Sequence, residues 1–236
     1  MTTYPLYAFF GILPSLIWLL FYLRKDSNPE PNRMVLKIFF CGILMALPAI
    51  LIEAGIIRLI GGLKLPLALL TFLNIFIGIA LIEELAKYLP VKVMVLKHEE
   101  FDEPIDTVFY MIIAALGFAA AENILIMFSL GPTFLFGNVL IVSVLRFWGA
   151  TFLHALASGT IGYFLALSFF ETRKRGRLLA CGITIAALLH GLYNFSIMEM
   201  QGSCTFLIPI IILIGLAIFL TFALKRLKKM KSVCKI

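Results

Sequence analysis

Apolar residues run along this chain in long blocks separated by short polar stretches, and no strict apolar–polar alternation marks a strand. A transmembrane β-barrel is therefore not expected. A helix rises about 1.5 Å per residue, so roughly 20 apolar residues cross the hydrocarbon of a bilayer. Seven blocks reach that length, at residues 4–23, 34–60, 65–96, 105–130, 136–170, 178–198 and 204–224. The second, third and fifth are longer than a span needs, so they are expected to tilt, kink or continue into the interface. Pro90 is expected to end or bend the third, because its ring and missing N–H interrupt the helical ladder. The pattern predicts an all-α fold, a polytopic transmembrane helix bundle of about seven spans. It forms one domain over residues 1–224, followed by a basic cytoplasmic tail at 225–236.

The connections set the orientation. Arg24, Lys25, Arg33 and Lys37 flank the first connection, Lys92 and Lys97 the third, and Arg173, Lys174, Arg175 and Arg177 the fifth. The tail carries six more basic residues, whereas the intervening connections hold only Arg58 and Lys64. Positive charge stays on the cytoplasmic side, so the N-terminus is expected outside and the C-terminus in the cytoplasm. The first block lacks the basic start and small-residue cleavage site of a secretory signal, and is expected to remain as a helix.

Composition agrees with that picture. The chain of 236 residues is 62% hydrophobic and 14% charged, far from the roughly one-quarter charged of a soluble domain. The net charge of +7 sits in caps between apolar blocks, with no aromatic-interleaved basic face, so nucleic acid is not an expected partner and the lipid bilayer is. Cys41, Cys181, Cys204 and Cys234 have neither CxxC nor framework spacing and are expected to be free thiols. The connection DSNPEPNR (26–33) reads as extended and polar. The acids of KHEEFDEPID (97–106), with His98, read as a solvated surface.

A short set of polar residues remains at depth. Glu83, Glu84 and Lys87 lie on the third span, Glu122 and Asn123 on the fourth, Arg146 and His154 on the fifth, and His190 and Asn194 on the sixth. Counted from the cytoplasmic ends, Glu84 and His190 lie about 18 Å in, and Glu122 and His154 about 24–26 Å. Ionisable groups in lipid face the bundle interior and pair, or serve a pathway or a site. Lys87 stands three and four residues from the two acids and reaches either of them. His190 and Asn194 share a helix face with Tyr193 beside them. The small residues Ala114, Ala115, Gly117, Ala119, Ala120 and Ala121 let neighbouring helices approach the one that carries Glu122. Arg146 and the pair Glu53/Arg58 read as structural or interfacial, since long basic side chains snorkel.

In order and spacing, these residues resemble the motifs of the PrsW family of bacterial intramembrane proteases and, more distantly, the CAAX prenyl endopeptidase and bacteriocin-processing superfamily. Glu83-Glu84-Leu-Ala-Lys87 resembles EExxK, and Phe118-Ala-Ala-Ala-Glu122-Asn123 resembles FxxxEN. His154 with Gly162 resembles HxxxxxxxG, and His190-Gly-Leu-Tyr193-Asn194 resembles HxxYD. The last motif departs from the family, which usually has Asp where Asn194 stands; an amide donates hydrogen bonds that an ionised carboxylate cannot. The resemblance implies a multi-pass protein of the bacterial cell membrane. It implies a protease that cuts a membrane-bound substrate, a single-span anti-sigma factor, in a site-1 cleavage that belongs to a stress response.

The resemblance also implies catalytic roles for Glu83, Glu84, Glu122, His154, His190 and Asn194, with Lys87, Asn123 and Tyr193 in support. Two adjacent carboxylates in low dielectric do not both ionise cheaply, which suits general-base activation of a water by Glu83 with Glu84 as its partner. His190 and Asn194 then bind the developing oxyanion or orient the water. The wider superfamily implies glutamate chemistry with no metal or other cofactor. Zinc held by the same Glu and His residues is the chemical rival, although HExxH is absent. Two other function classes stay open on the residues alone: a proton-coupled transporter, and a catalytically silent scaffold or immunity protein.

Overall fold

The computed structural model describes residues 4–25, 30–96, 98, 101, 103–131 and 136–230. Among the described residues all regular structure is helical: α1 (Tyr4–Leu23), α2 (Asn32–Gly61), α3 (Leu67–Leu73), a π-helical segment (Asn74–Leu81), α4 (Ile82–Met94), α5 (Asp106–Ser129), α6 (Phe136–Trp148), α7 (Ala150–Phe170), a 3₁₀ turn (Thr172–Lys174), α8 (Arg175–Met198) and α9 (Cys204–Leu227). They make seven stretches long and apolar enough to cross a membrane. Large apolar side chains stand on the outer surface, among them Leu51, Leu67 and Phe206, each more than two-thirds exposed. In water such a surface would drive association; in lipid it is the solvent-facing side.

The spans alternate in direction, so the bundle has two ends. The upper end carries the start of α1, the 61–67 connection and the 198–204 connection. The lower end carries the 94–106 and 170–175 connections. The expected outside and cytoplasm correspond to the upper and lower ends respectively.

α5 is the buried axis of the bundle, packed by α1, α2 and α7. Its small residues do what the sequence suggested. A Cβ on Gly117 would strike the carbonyl oxygen of Phe39 on α2, and one on Gly42 of α2 would strike that of Ala114. A Cβ on Gly162 of α7 would lie 2.6 Å from the Cα of Val108 on α5. Backbones therefore touch on both sides of α5, which suits a bundle in lipid, where close van der Waals packing replaces the hydrophobic effect between helices. Thr107 Oγ1 adds a hydrogen bond to the Gly162 carbonyl at 2.8 Å.

Several expectations change. Pro90 does not end its helix: α4 continues to Met94, and the proline removes one ladder bond on a helix held by packing against α2 and α5. The third span instead departs from α geometry earlier, at Asn74–Leu81. The fifth is divided at Gly149, between α6 and α7. The polar connections are less solvated than their composition suggests. Glu30 is buried and accepts a hydrogen bond from the Tyr110 hydroxyl at 2.5 Å, and Asp106 is buried and accepts one from the Glu103 N–H at 2.8 Å. Both acids find donors where the chain re-enters the bundle, which offsets their loss of hydration. His98 is exposed. The remaining residues of DSNPEPNR up to Pro29, Lys97, Glu99, Glu100 and Asp102 lie outside the described residues. Cys41, Cys181 and Cys204 are free thiols, while Cys234 and the rest of 231–236 lie outside the described residues.

Candidate active site

The π-helical segment ends at Leu81, two residues before Glu83. A π turn carries one extra residue, and such turns inside α-helices recur at functional sites. Glu83, Glu84 and Lys87 follow on the first turns of α4, all buried. The Lys87 ammonium reaches both acids at once, at 3.0 Å from Glu83 Oε2 and 2.8 Å from Glu84 Oε1. Its third bond goes to His154 Nδ1, at 2.7 Å. An ammonium only donates, so Nδ1 of His154 is the bare nitrogen and the ring proton sits on Nε2. That N–H donates to Glu122 Oε2 at 2.8 Å.

His190 is arranged in the same way. Its Nδ1 stands 2.9 Å from Glu84 Oε1, which can only accept while ionised, so Nδ1 carries a proton, and in the neutral ring Nε2 is the bare nitrogen. Each histidine thus spends an N–H on a carboxylate, and its other nitrogen lies near one atom, Glu83 Oε2, with the Lys87 ammonium bonded to both that oxygen and His154 Nδ1. The separations are 3.7 Å for His154 Nδ1 and 3.8 Å for His190 Nε2. The rings meet edge to face with centroids 5.0 Å apart. Phe118, four residues before Glu122, closes the floor, with the Lys87 ammonium 4.7 Å from its ring centroid.

The two acids of the Glu-Glu pair differ. Glu84 is fully enclosed and accepts from Lys87 and His190 on one oxygen and from Ser158 Oγ, at 2.7 Å, on the other. Glu83 accepts from Lys87 alone among the described residues and borders a cavity of about 910 Å³. Glu53, Glu122, Arg146, His154, His190, Tyr193 and Asn194 also line this cavity. Ser129, Met198 and Thr205 line it too, and these lie where α5, α8 and α9 meet the upper end.

The residues singled out in the sequence therefore converge, but not all in the same way. Glu83, Glu84, Lys87, Glu122, His154 and His190 form one continuous hydrogen-bonded group. Tyr193 and Asn194 stand on its cavity side, and Asn194 makes no side-chain hydrogen bond among the described residues. The Tyr193 hydroxyl lies where a Cβ on Gly149 would be, so the glycine that divides the fifth span also makes room for this ring. Asn123 is set back, with its amide donating to Thr151 Oγ1 at 3.0 Å and accepting from Arg146 Nε.

Arg146 corrects the snorkelling expectation. Its Nη2 lies 2.8 Å from Glu122 Oε2, the atom that also holds His154. An arginine in the middle of an apolar block has too far to reach for water, and its depth was the signal that it belongs to the cluster. Glu53 is likewise on the cavity wall rather than at an interface. Ser158 was missed altogether, although it stands one turn after His154 on the same helix face.

Glu83, His154 and His190 offer one carboxylate oxygen and two bare imidazole nitrogens, all within 4.8 Å of one another. This is the donor set of several catalytic zinc sites. Ligand atoms of a tetrahedral zinc stand about 3.3 Å apart, so the observed spacing is slightly wide. Both rings already have the carboxylate partner that metal-binding histidines use to fix tautomer and orientation. The cluster also holds more carboxylates than cations: Glu83, Glu84 and Glu122 meet only Lys87 and Arg146 among the described residues. A divalent cation would balance that excess, so the residues present fit one, with Lys87 giving up its contact to His154.

Carboxylate-held histidines beside an under-coordinated glutamate, sunk in a multi-span bundle and open to a cavity, suit hydrolysis within the membrane. Comparison with known proteins narrows it. Residues 30–223 match the family described as PrsW family intramembrane metalloprotease. The chain is 30% identical over 219 residues to Protease PrsW of Oceanobacillus iheyensis, covering 93% of each protein. It is 31% identical over 192 residues to that of Geobacillus kaustophilus, 81% of this chain and 79% of the relative. To that of Bacillus subtilis it is 29% identical over 227 residues, 94% of each. No solved structure matches. The chain belongs to the PrsW family: it is a peptidase and a multi-pass bacterial membrane protein.

Proposed function

We propose that this peptidase hydrolyses a peptide bond of a membrane-anchored regulatory protein with a water activated at Glu83, His154 and His190. The observation that carries this reading is the convergence of two bare imidazole nitrogens on Glu83 Oε2, at 3.7 and 3.8 Å, on the wall of the cavity. Glu84 and Glu122 hold the rings, Lys87 holds Glu83 against Glu84, and Arg146 holds Glu122. Glu84, with its oxygens saturated, is the anchor; Glu83, with one donor, is the acid left to act on water. Asn194, with its amide unengaged, is placed to donate to the oxyanion of a tetrahedral intermediate. With the N-terminus outside, as the loop charges indicate, the cavity opens towards the extracytoplasmic side. That suits a site-1 cut in a single-span anti-sigma factor, the substrate the family resemblance implies.

Glu83, His154 and His190 are the residues that would hold a divalent metal, zinc for this donor set. Bound there, the metal would polarise the scissile carbonyl and make hydroxide available at neutral pH. The sequence placed metal second. The two carboxylate-backed rings, the excess of acids and the family's description bring it forward. A metal-free glutamate mechanism keeps one specific support, the Lys87 ammonium, which already bonds Glu83 and His154 as a cation in their midst.

Metal analysis of the purified protein, with cleavage followed by fragment mass before and after exhaustive chelation, separates the two. Stoichiometric zinc, with activity lost on chelation and restored by zinc, is expected. Full activity of metal-free protein assigns the chemistry to Glu83 as general base alone. No cleavage of any co-reconstituted membrane protein, with or without metal, contradicts the proposed function.

A further inference from the structure

Glu53 is the carboxylate of the cavity that the hydrolytic arrangement does not use. It lies on α2 with Ala46 and Ile50, and residues at this spacing of four and three share one helix face, here the one that lines the cavity. Its Oε1 is buried and has no hydrogen-bond partner among the described residues, in contrast to Glu83, Glu84 and Glu122, each of which is held by a cation. Arg58, five residues on, is exposed, and no ion pair joins it to Glu53 among the described residues. Lys87, Glu83 and Glu122 are the charged groups in its field, and two of those three repel it. The cations that serve the cluster are already engaged, Lys87 by three acceptors and Arg146 by Glu122 and Asn123.

A half-buried acid without a counter-charge loses hydration and gains nothing in return. On a cavity wall the missing counter-charge is one that an occupant can bring. We propose that Glu53 is a specificity-determining residue, forming the acidic subsite that receives a lysine or arginine side chain of the substrate near the scissile bond. This rests on the reading of the cavity as the substrate site. Ile50, one turn before Glu53 on α2, and Ile79 also line the cavity and are apolar, so they can accept the methylene stem of such a side chain while its head reaches the carboxylate.

The test uses the full-length protein in detergent micelles and acetylated peptide amides of the form Leu-Leu-Xaa-Leu-Leu, with Xaa Lys, Gln or Glu. Native mass spectrometry reads bound and cut peptide separately. The wild type is expected to bind the Lys peptide about tenfold or more tighter than the Gln peptide, the range of a close charge pair across a desolvated interface. Glu53→Gln, which keeps shape, is expected to bind the two equally, and Glu53→Lys to prefer the Glu peptide. Equal binding of all three peptides by the wild type overturns the proposal, as does a Lys preference that survives Glu53→Gln. So does a uniform loss of affinity in Glu53→Gln with the preference intact, which would make Glu53 structural. Peptide bound with the expected preference but never cut contradicts the proposed hydrolysis and leaves the subsite standing.

Discussion

The lower and upper halves of the bundle are built on opposite principles. In the lower half, α5 meets α2 and α7 backbone to backbone through Gly42, Gly117 and Gly162, and the polar groups of the connections are tied in by Glu30, Tyr110 and Thr107. In the upper half, the helices are interrupted. The π-helical segment precedes Glu83, Gly149 divides α6 from α7, and the space between α2, α5, α8 and α9 is a cavity. The difference shows how a chain in lipid affords a charged cluster: one half is packed tightly enough to hold the fold, and the other gives up helical regularity to aim side chains.

Breaking the tight half has the largest expected effect on the fold. Gly117→Leu drives a side chain into the α2 backbone. Overpacking costs about 1–3 kcal/mol in cores that can shift, and a backbone contact shifts least. The expected result is loss of monodisperse protein in detergent extracts, whereas Gly137→Leu, at a position with open space around the Cα, is expected to leave yield unchanged. Gly117→Leu protein that elutes and melts like the wild type would remove the distinction between the halves.

Arg146→Ala acts on the open half. It strips Glu122 of its cation and leaves a partly enclosed acid beside His154; breaking such a pair costs up to about 3 kcal/mol, less where water still reaches the acid. Activity is expected to fall on the order of a hundredfold, with the protein still folded, since His154 loses the orientation of its Nε2–H partner. Arg146→Lys is expected to restore part of it. Ser158→Ala removes one of the bonds that saturate Glu84, worth about 1.5–3 kcal/mol for a charged acceptor. It is expected to lower the melting temperature by a few degrees and to reduce turnover by less than Arg146→Ala does. Tyr110→Phe, in the lower half, removes the donor to Glu30 and is expected to cost about 1–3 kcal/mol of stability with the rate per folded molecule unchanged. Loss of activity greater than loss of folded protein in that variant would connect the two halves more closely than their separation implies.

Much of this was legible in the sequence, for physical reasons that also explain the gaps. All seven spans stand out, since hydrocarbon demands long apolar stretches whatever the tertiary contacts. Glu83, Glu84, Glu122, His154 and His190 stand out because nothing else explains ionisable groups at that depth, and family motifs fixed their association. The interfacial reading of Arg146 and Glu53 fails, while a structural role for them stands untouched, since reach to water depends on tilt and on the breaks at Gly149 and Asn74–Leu81, which leave no mark in hydropathy. Which acid of the pair is anchored and which is free depends on Ser158 and His190, partners 74 and 106 residues away in the chain.

The central claim is that Glu83 at the histidine pair performs the hydrolysis. The direct measurement is the initial rate of substrate cleavage in proteoliposomes by the wild type and by Glu83→Gln, with fragments identified by mass and both proteins matched for melting temperature. Glu83→Gln removes a metal ligand or, without metal, the general base; loss of a general base alone costs about 10²–10⁴-fold, and a loss of at least that size is predicted with the fold intact. Cleavage at the wild-type rate and at the same bond by Glu83→Gln would contradict the account.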